Sequence, residues 1–318
     1  MLANFPGRRR GLTVLAVLWL AAGAGSASVE VSLPPGGARR VVLFEGYELA
    51  ASLGAWDRVV GISRYAYDND LLKRLVPELR RIPAPGTGFE INVEALLALR
   101  PDLVVTWSRR PETLEFLKRQ GIPILSIYPE NLADLRQDLL RLGAALGKED
   151  RAQEVVALMD RHLEQVRLRV APLAKQSAPR VLWTWGKPTI ISGRLGVVPE
   201  IITVAGGRNL GEDRDCFNQE VSMETLIALN PEVVLIWGSA SYSPESLLMD
   251  PKWQTVQAVR NRRVYKTSRA SIWSPRVVAL TWWMAHRFYP DAISEPEARS
   301  HMDKFYRECF GISYEEEP

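Results

Sequence analysis

Cysteine is nearly absent from this chain: Cys216 and Cys309 are the only two in 318 residues. Two thiols make neither a disulfide framework nor a metal-ligand spacing, although in an oxidising compartment they could pair with each other. Histidine is almost as scarce. His162, His286 and His301 are far apart, each on a predicted helix, which is the pattern of packed or solvated side chains and not of a zinc cluster. There is no Gly-rich phosphate loop of the usual spacing and no nucleophile elbow. No metal site and no cofactor are therefore expected, and an enzyme has little to stand on. Excess charge is missing too. The formal +3 comes from Arg8, Arg9 and Arg10 in an acid-free stretch, residues 1–27, and the remainder carries 37 basic and 37 acidic residues. A neutral body gives no electrostatic case for a nucleic-acid partner.

What the first residues do contain resembles a secretory signal: three arginines, an apolar run from Leu12 to Ala22, and small residues ending in Gly25-Ser26-Ala27. The run is short for a bilayer span, so residues 1–27 are expected to be a cleaved signal peptide. No cysteine follows the cleavage region to carry a lipid, so the mature protein is expected to be exported and periplasmic.

The rest is organised around one stretch, NVEALLALRPDLVVTW, from Asn92 to Trp107. Asn92 can cap a helix whose apolar positions Val93, Leu96, Leu97 and Leu99 share one face. Pro101 stops it, because the residue before a proline is pushed out of the right-handed helical region. Leu103–Val105 then reads as a strand covered on both sides. The pattern returns 130 residues later as SMETLIALNPEVVLIW, Ser222 to Trp237, with seven of sixteen positions identical, among them Glu94/Glu224, Pro101/Pro231 and Trp107/Trp237. A helix–strand unit repeated so far apart implies two similar lobes.

Around these units, predicted strands at 41–44, 59–63 and 123–127, and again at 181–185 and 263–267, alternate with helices, the pattern of doubly wound α/β sheets. Residues 148–170 form a helical stretch without proline or glycine, long enough to be the strut between lobes. Residues 172–179 read as a linker. The expected organisation is therefore an α/β lobe over 28–147, a connecting helix over 148–172, and a second α/β lobe over 173–318, with a ligand cleft between the lobes. Residues around Cys216, Phe217 and Asn218 read as a loop.

Aromatic and arginine side chains gather at predicted strand ends: Tyr65 and Tyr67; Trp107 with Arg109 and Arg110; Trp185; Trp237; then Arg269 and Trp273. Open α/β sheets bind ligands beyond the carboxyl ends of their strands. Two facing lobes would thus line a cleft with rings, which supply flat apolar area, and guanidinium groups, which supply fixed donors to anions. Two other readings stay open on the residues alone: a secreted α/β enzyme, and a ferric-ion binder using Tyr65 and Tyr67 as ligands.

The chain resembles the periplasmic binding proteins that serve iron–siderophore, haem and cobalamin importers of the ATP-binding-cassette (ABC) type. The likeness is carried by LGAWDRVVGIS (Leu53–Ser63), NVEALLALRPDLVV (Asn92–Val105), GIPIL (Gly121–Leu125), VSMETLIALNPEVVLI (Val221–Ile236), LLMDPKWQTVQAVRNRRVY (Leu247–Tyr265) and the aromatic-rich helix after Trp273. The resemblance implies two lobes joined by one long helix, no catalysis, and a metal chelate as partner. It implies that Tyr65 and Trp107 match corrinoid-touching positions, with Phe89 at a further aromatic contact. It also implies that Glu94 and Glu224 match the two surface acids that dock onto the permease dimer in the inner membrane. Tyr67, Arg109, Trp185, Phe217, Trp237, Arg269 and Trp273 complete the expected ligand-binding set. Phe44-Glu45-Gly46 departs from the family's usual proline–serine start of the first loop. Arg64, Arg109, Arg110 and Arg269, expected near the cleft mouth, rank an anionic ferric siderophore or haem slightly above a corrinoid.

Overall fold

A computed structural model describes residues 36–107 and 111–315. The expected signal segment, residues 1–27, and Arg109 and Arg110 lie outside the described residues. The first sheet has four parallel strands, β1 (Val41–Leu43), β2 (Val59–Ile62), β3 (Leu103–Thr106) and β4 (Ile124–Ser126), in the order β2-β1-β3-β4. Leu43 and Val41 of β1 and Leu103 and Val105 of β3 point to one face, while Val42 and Val104 point to the other, so both faces are apolar and both are covered.

The second sheet contains β5 (Arg180–Thr184), β6 (Ile190–Ser192), β7 (Arg208–Asn209), β8 (Asn218–Glu220), β9 (Val233–Ile236) and β10 (Val264–Lys266). Its order is β10-β9-β5-β6-β8, with β7 paired to the start of β5. Strands β10, β9 and β5 are parallel, as expected, but β6 runs antiparallel to both its neighbours, β5 and β8. The segment read as a loop around Asn218 is thus partly strand. The pattern was hard to see because β8 is fully exposed, so no apolar alternation marks it.

The two repeated units fold alike. Asn92 and Ser222 each accept a hydrogen bond from the third helical N–H, and the helices Val93–Ala98 and Met223–Leu229 each bury one equivalent leucine, Leu96 or Leu226. Each unit passes through a left-handed residue before its proline, Arg100 at φ 47° and Asn230 at φ 42°. Asparagine tolerates that region better than arginine does.

Between the sheets runs one helix, Glu149–Gln176, of 28 residues, roughly 42 Å long at 1.5 Å per residue. It continues through Pro172, where a linker was expected. The ring falls on an exposed part of the helix, where water can satisfy the carbonyl a proline leaves unbonded. Val155, Met159, Leu163 and Val166 of this helix join the inward faces of both sheets, Val41 and Leu103 on one side and Trp183 and Leu235 on the other, in a single apolar cluster. The closing helices Val277–Phe288 and Glu295–Phe310 pack into the same cluster. His162 on the strut meets Glu308 at 3.0 Å, His286 meets the Ile293 carbonyl, and His301 stacks on Trp282 at 3.8 Å, so each histidine has a structural partner. Cys216 and Cys309 are free thiols, so they do not pair.

Candidate functional site

The carboxyl ends of the strands define the site. In the first sheet the neighbours of β1 are β2 and β3, so the chain leaves β1 and returns on opposite sides of it, the switch point at which open α/β sheets hold ligands. Phe44, Glu45 and Gly46 follow β1 there. Gly46 adopts φ 72°, and a Cβ on it would lie 2.7 Å from Ile127 Cδ1, so a glycine is required to turn the chain into the helix Tyr47–Ser52. Glu45 Oε1 accepts the Gly46 N–H at 2.9 Å. The Glu45 carboxyl is half-buried, and burial, with the nearby charge of Glu48, pushes it up to about 7 against the opposing Gly46 hydrogen bond.

Trp107 follows β3. Phe89 meets it edge-on at 4.1 Å between ring centroids. Gly88 makes this possible, since a Cβ there would sit 2.1 Å from Trp107 Nε1. Phe89 is 50% exposed and Tyr65, beyond β2, 58% exposed, so with Trp107 the first lobe offers open rings at its strand ends. Tyr67 is different. Its hydroxyl donates to the Ile82 carbonyl at 2.5 Å and Arg80 lies over its ring, so it is committed to its own lobe and does not join Tyr65 as a ligand pair.

In the second lobe Trp185 and Trp237 follow β5 and β9 and pack at 5.7 Å, with Trp183 a further 5.8 Å behind Trp185 in the core. Phe217 and Trp273 lie across the cleft and meet a residue that sequence reasoning missed. Tyr128, just after β4, sits 5.3 Å from the Phe217 ring and 4.9 Å from the Trp273 ring. The signal was available, because Tyr128 follows a predicted strand just as Trp107 does. Arg269 follows β10 and is exposed at the rim. Beside it, a groove of about 460 Å³ runs along β10, where Arg287 lies between Tyr265 and Trp283 at 5.2 and 5.4 Å from their ring centroids.

Beneath the ring contact lies an ionic one. Arg276, 2% exposed, donates to both carboxylate oxygens of Asp70 at 2.6 Å and to Glu48 Oε1 at 3.3 Å, joining the second lobe to the first. Its Nε donates to the Tyr306 hydroxyl at 2.6 Å. Burial raises Asp70, but the Arg276 hydrogen bonds and charge outweigh it and hold the acid below its usual value. Glu48 Oε1 also accepts from Asn69 at 2.5 Å and from the Ser271 N–H at 3.4 Å. Nothing in the sequence marks Arg276 as the partner of two acids more than 200 residues away.

Glu94 and Glu224 are alike in setting: each is exposed in the first turn of its repeated helix. The Ser222 hydroxyl and the helix's own N–H groups lower the Glu224 carboxyl. Among the described residues no group of three or more His, Cys, Asp or Glu could hold a metal ion, and no helix is long and apolar enough to cross a membrane.

A family model described as periplasmic binding protein matches residues 43–270, more than half of the chain. The chain is 25% identical to the molybdate-binding protein MolA of Haemophilus influenzae, covering 90% of this chain and 89% of that one. It is 28% identical to the vitamin B12-binding protein of Yersinia pestis over 66% of this chain and 74% of that one. Among solved structures, Helicobacter pylori CeuE in complex with Ni-His superposes with a TM-score of 0.80 at 28% identity, covering 89% of this chain and 92% of that one.

Proposed function

The chain belongs to the periplasmic binding protein family, whose members carry solutes to ABC permeases, and from that premise we propose that its cargo is a metal chelate. One observation carries this: Tyr65, Trp107 and Tyr128 follow strands of one sheet, with Phe89 packed on Trp107, while Trp185, Trp237 and Trp273 follow strands of the other, with Phe217 packed on Tyr128. Rings on both sides suit a bulky, rigid ligand gripped by its faces, with little directional polar recognition. Two of the relatives fit this class, one named for vitamin B12 and one in complex with Ni-His, whereas MolA is named for molybdate. Affinity comes from the lobes meeting around the cargo, and no residue is required to do chemistry on it.

Glu94 and Glu224 serve as the two docking acids. They occupy equivalent positions of a repeated unit, so a permease with two like halves can read one on each lobe. The expectation of an anionic siderophore rested on arginines at the mouth. Of these, Arg64 and Arg269 are exposed, and Arg109 and Arg110 lie outside the described residues.

Ligand that binds the native state raises the melting temperature by mass action, about 2.7 kcal/mol at a hundredfold excess over Kd. A thermal-shift panel of Ni(II)–histidine, haemin, cobalamin, ferric siderophores and molybdate tests the reading. A rise with at least one chelate is expected. A rise with molybdate alone, or with none, rejects the chelate class.

A further inference from the structure

The switch point of the first sheet carries acid. Glu45 stands at the switch point of the first sheet, and its one hydrogen bond is to the adjacent Gly46 N–H. Among the described residues no cation pairs with it. Arg276, which bridges the lobes, is consumed by Asp70 and Glu48. Glu48, one helical turn beyond Glu45, lies between the lobes and is 2% exposed. Its Oε1 takes every donor that reaches it, from Asn69, Ser271 and Arg276, while its Oε2 is buried with no hydrogen-bond partner. Buried oxygens of a carboxylate are costly to leave without a donor. The segment that reaches Glu48, Ser271–Trp273, is the one whose tryptophan packs on Tyr128.

We propose that Glu45 is the charge-reading residue of the cleft, accepting a cationic or N–H-bearing group of the cargo at the floor while the aromatic rings hold its sides. This rests on the metal-chelate reading and narrows it. Carboxylate and ring faces favour the same sign: the first by a charge-assisted hydrogen bond, the second because the negative ring face attracts a cation. A chelate with several outward negative charges would meet Glu45 and the orphaned side of Glu48 with no cation of the described residues paired to Glu45. Cationic or amide-bearing chelates are therefore preferred over polyanionic ones, the reverse of the order drawn from the arginines.

Two ferric chelates of similar size and opposite charge test this in the full-length chain: ferrioxamine B, a cationic trihydroxamate, and a polyanionic ferric tris-catecholate. Calorimetric titrations run at about pH 8, above the value of about 7 to which burial pushes Glu45, so that the carboxyl is ionised. The wild type is expected to bind the cationic chelate at least about tenfold more tightly. Glu45→Gln, which keeps the shape and removes the charge, is expected to shrink that ratio at least about tenfold. A tighter tris-catecholate complex in the wild type, or a ratio that Glu45→Gln leaves in place, overturns the inference and leaves the chelate class standing. If neither ferric chelate binds, the inference falls, and the thermal-shift panel decides separately whether the chelate class falls with it.

Discussion

Where Arg276 meets Asp70 and Glu48, the contact between the lobes is charged and buried; where Tyr128 meets Phe217 and Trp273, it is aromatic and half-open. Both bridge the same pair of lobes, yet they differ in what separation would cost. Opening the ionic contact would expose a guanidinium and two carboxylates that have exchanged water for one another, with fixed bidentate geometry. Opening the aromatic one loses dispersion and apolar burial, which a ligand with flat faces can replace. The ionic contact is suited to being a fixed pivot, and the aromatic contact to being the part that cargo rearranges.

The largest effect expected from this difference is on the pivot. Arg276→Ala leaves Asp70 and Glu48 facing each other's charge without a cation, a change that costs about 3–5 kcal/mol in buried pairs. Chemical denaturation of the variant measures it. A loss below about 1 kcal/mol would mean that the ionic contact is as dispensable as a surface pair. A smaller effect is expected at the rings. Tyr128→Ala removes two ring contacts, each worth about 0.5–1.5 kcal/mol beyond the area buried. Its stability loss should stay below that of Arg276→Ala, whereas its effect on chelate affinity should exceed it. The reverse order in either measurement would dissolve the distinction between pivot and gate.

The smallest effect is a matter of pH. Asp70 is held below its unfolded value of 3.8, so the stability it contributes is present above that value and is lost as pH falls through the lower folded value. The ring contact has no group that titrates there. The stability difference between wild type and Asp70→Asn should therefore be constant above about pH 5 and shrink below about pH 4. The difference between wild type and Tyr128→Ala should not change over that range. Parallel behaviour of the two variants would show that the lobes respond to acid through groups other than this pair.

The parts of the molecule that could be read without coordinates are those in which each residue's neighbours are close in the chain. Asn92 and Ser222 cap their helices through N–H groups three residues away, and Leu96 and Leu226 fall on the buried face because of helical spacing. Strands β3 and β9 are apolar throughout because both faces are covered. Strands β6 and β8 escaped because β8 is exposed and β6 is only three residues long, so tertiary pairing and not local pattern makes them strands. Among candidate site residues, the rule of rings at strand ends pointed to Trp107 and Trp237, which do follow β3 and β9, and applied evenly it would have pointed to Tyr128 after β4. It could not separate Tyr65, which is open, from Tyr67, whose hydroxyl is used by the Ile82 carbonyl.

The sequence by itself determined the class of fold, the repeated helix–strand unit and the long strut, since hydrophobic period and caps act over one or two turns and need no distant partner. Only the tertiary structure decided the character of the cleft. Arg276 could be spent on Asp70 and Glu48 only once the closing helix had packed back against the first lobe, and among the described residues no cation pairs with Glu45. Charges are visible in a sequence, but their pairing is not, because an ion pair is selected by three-dimensional proximity and burial, which chain separation does not encode.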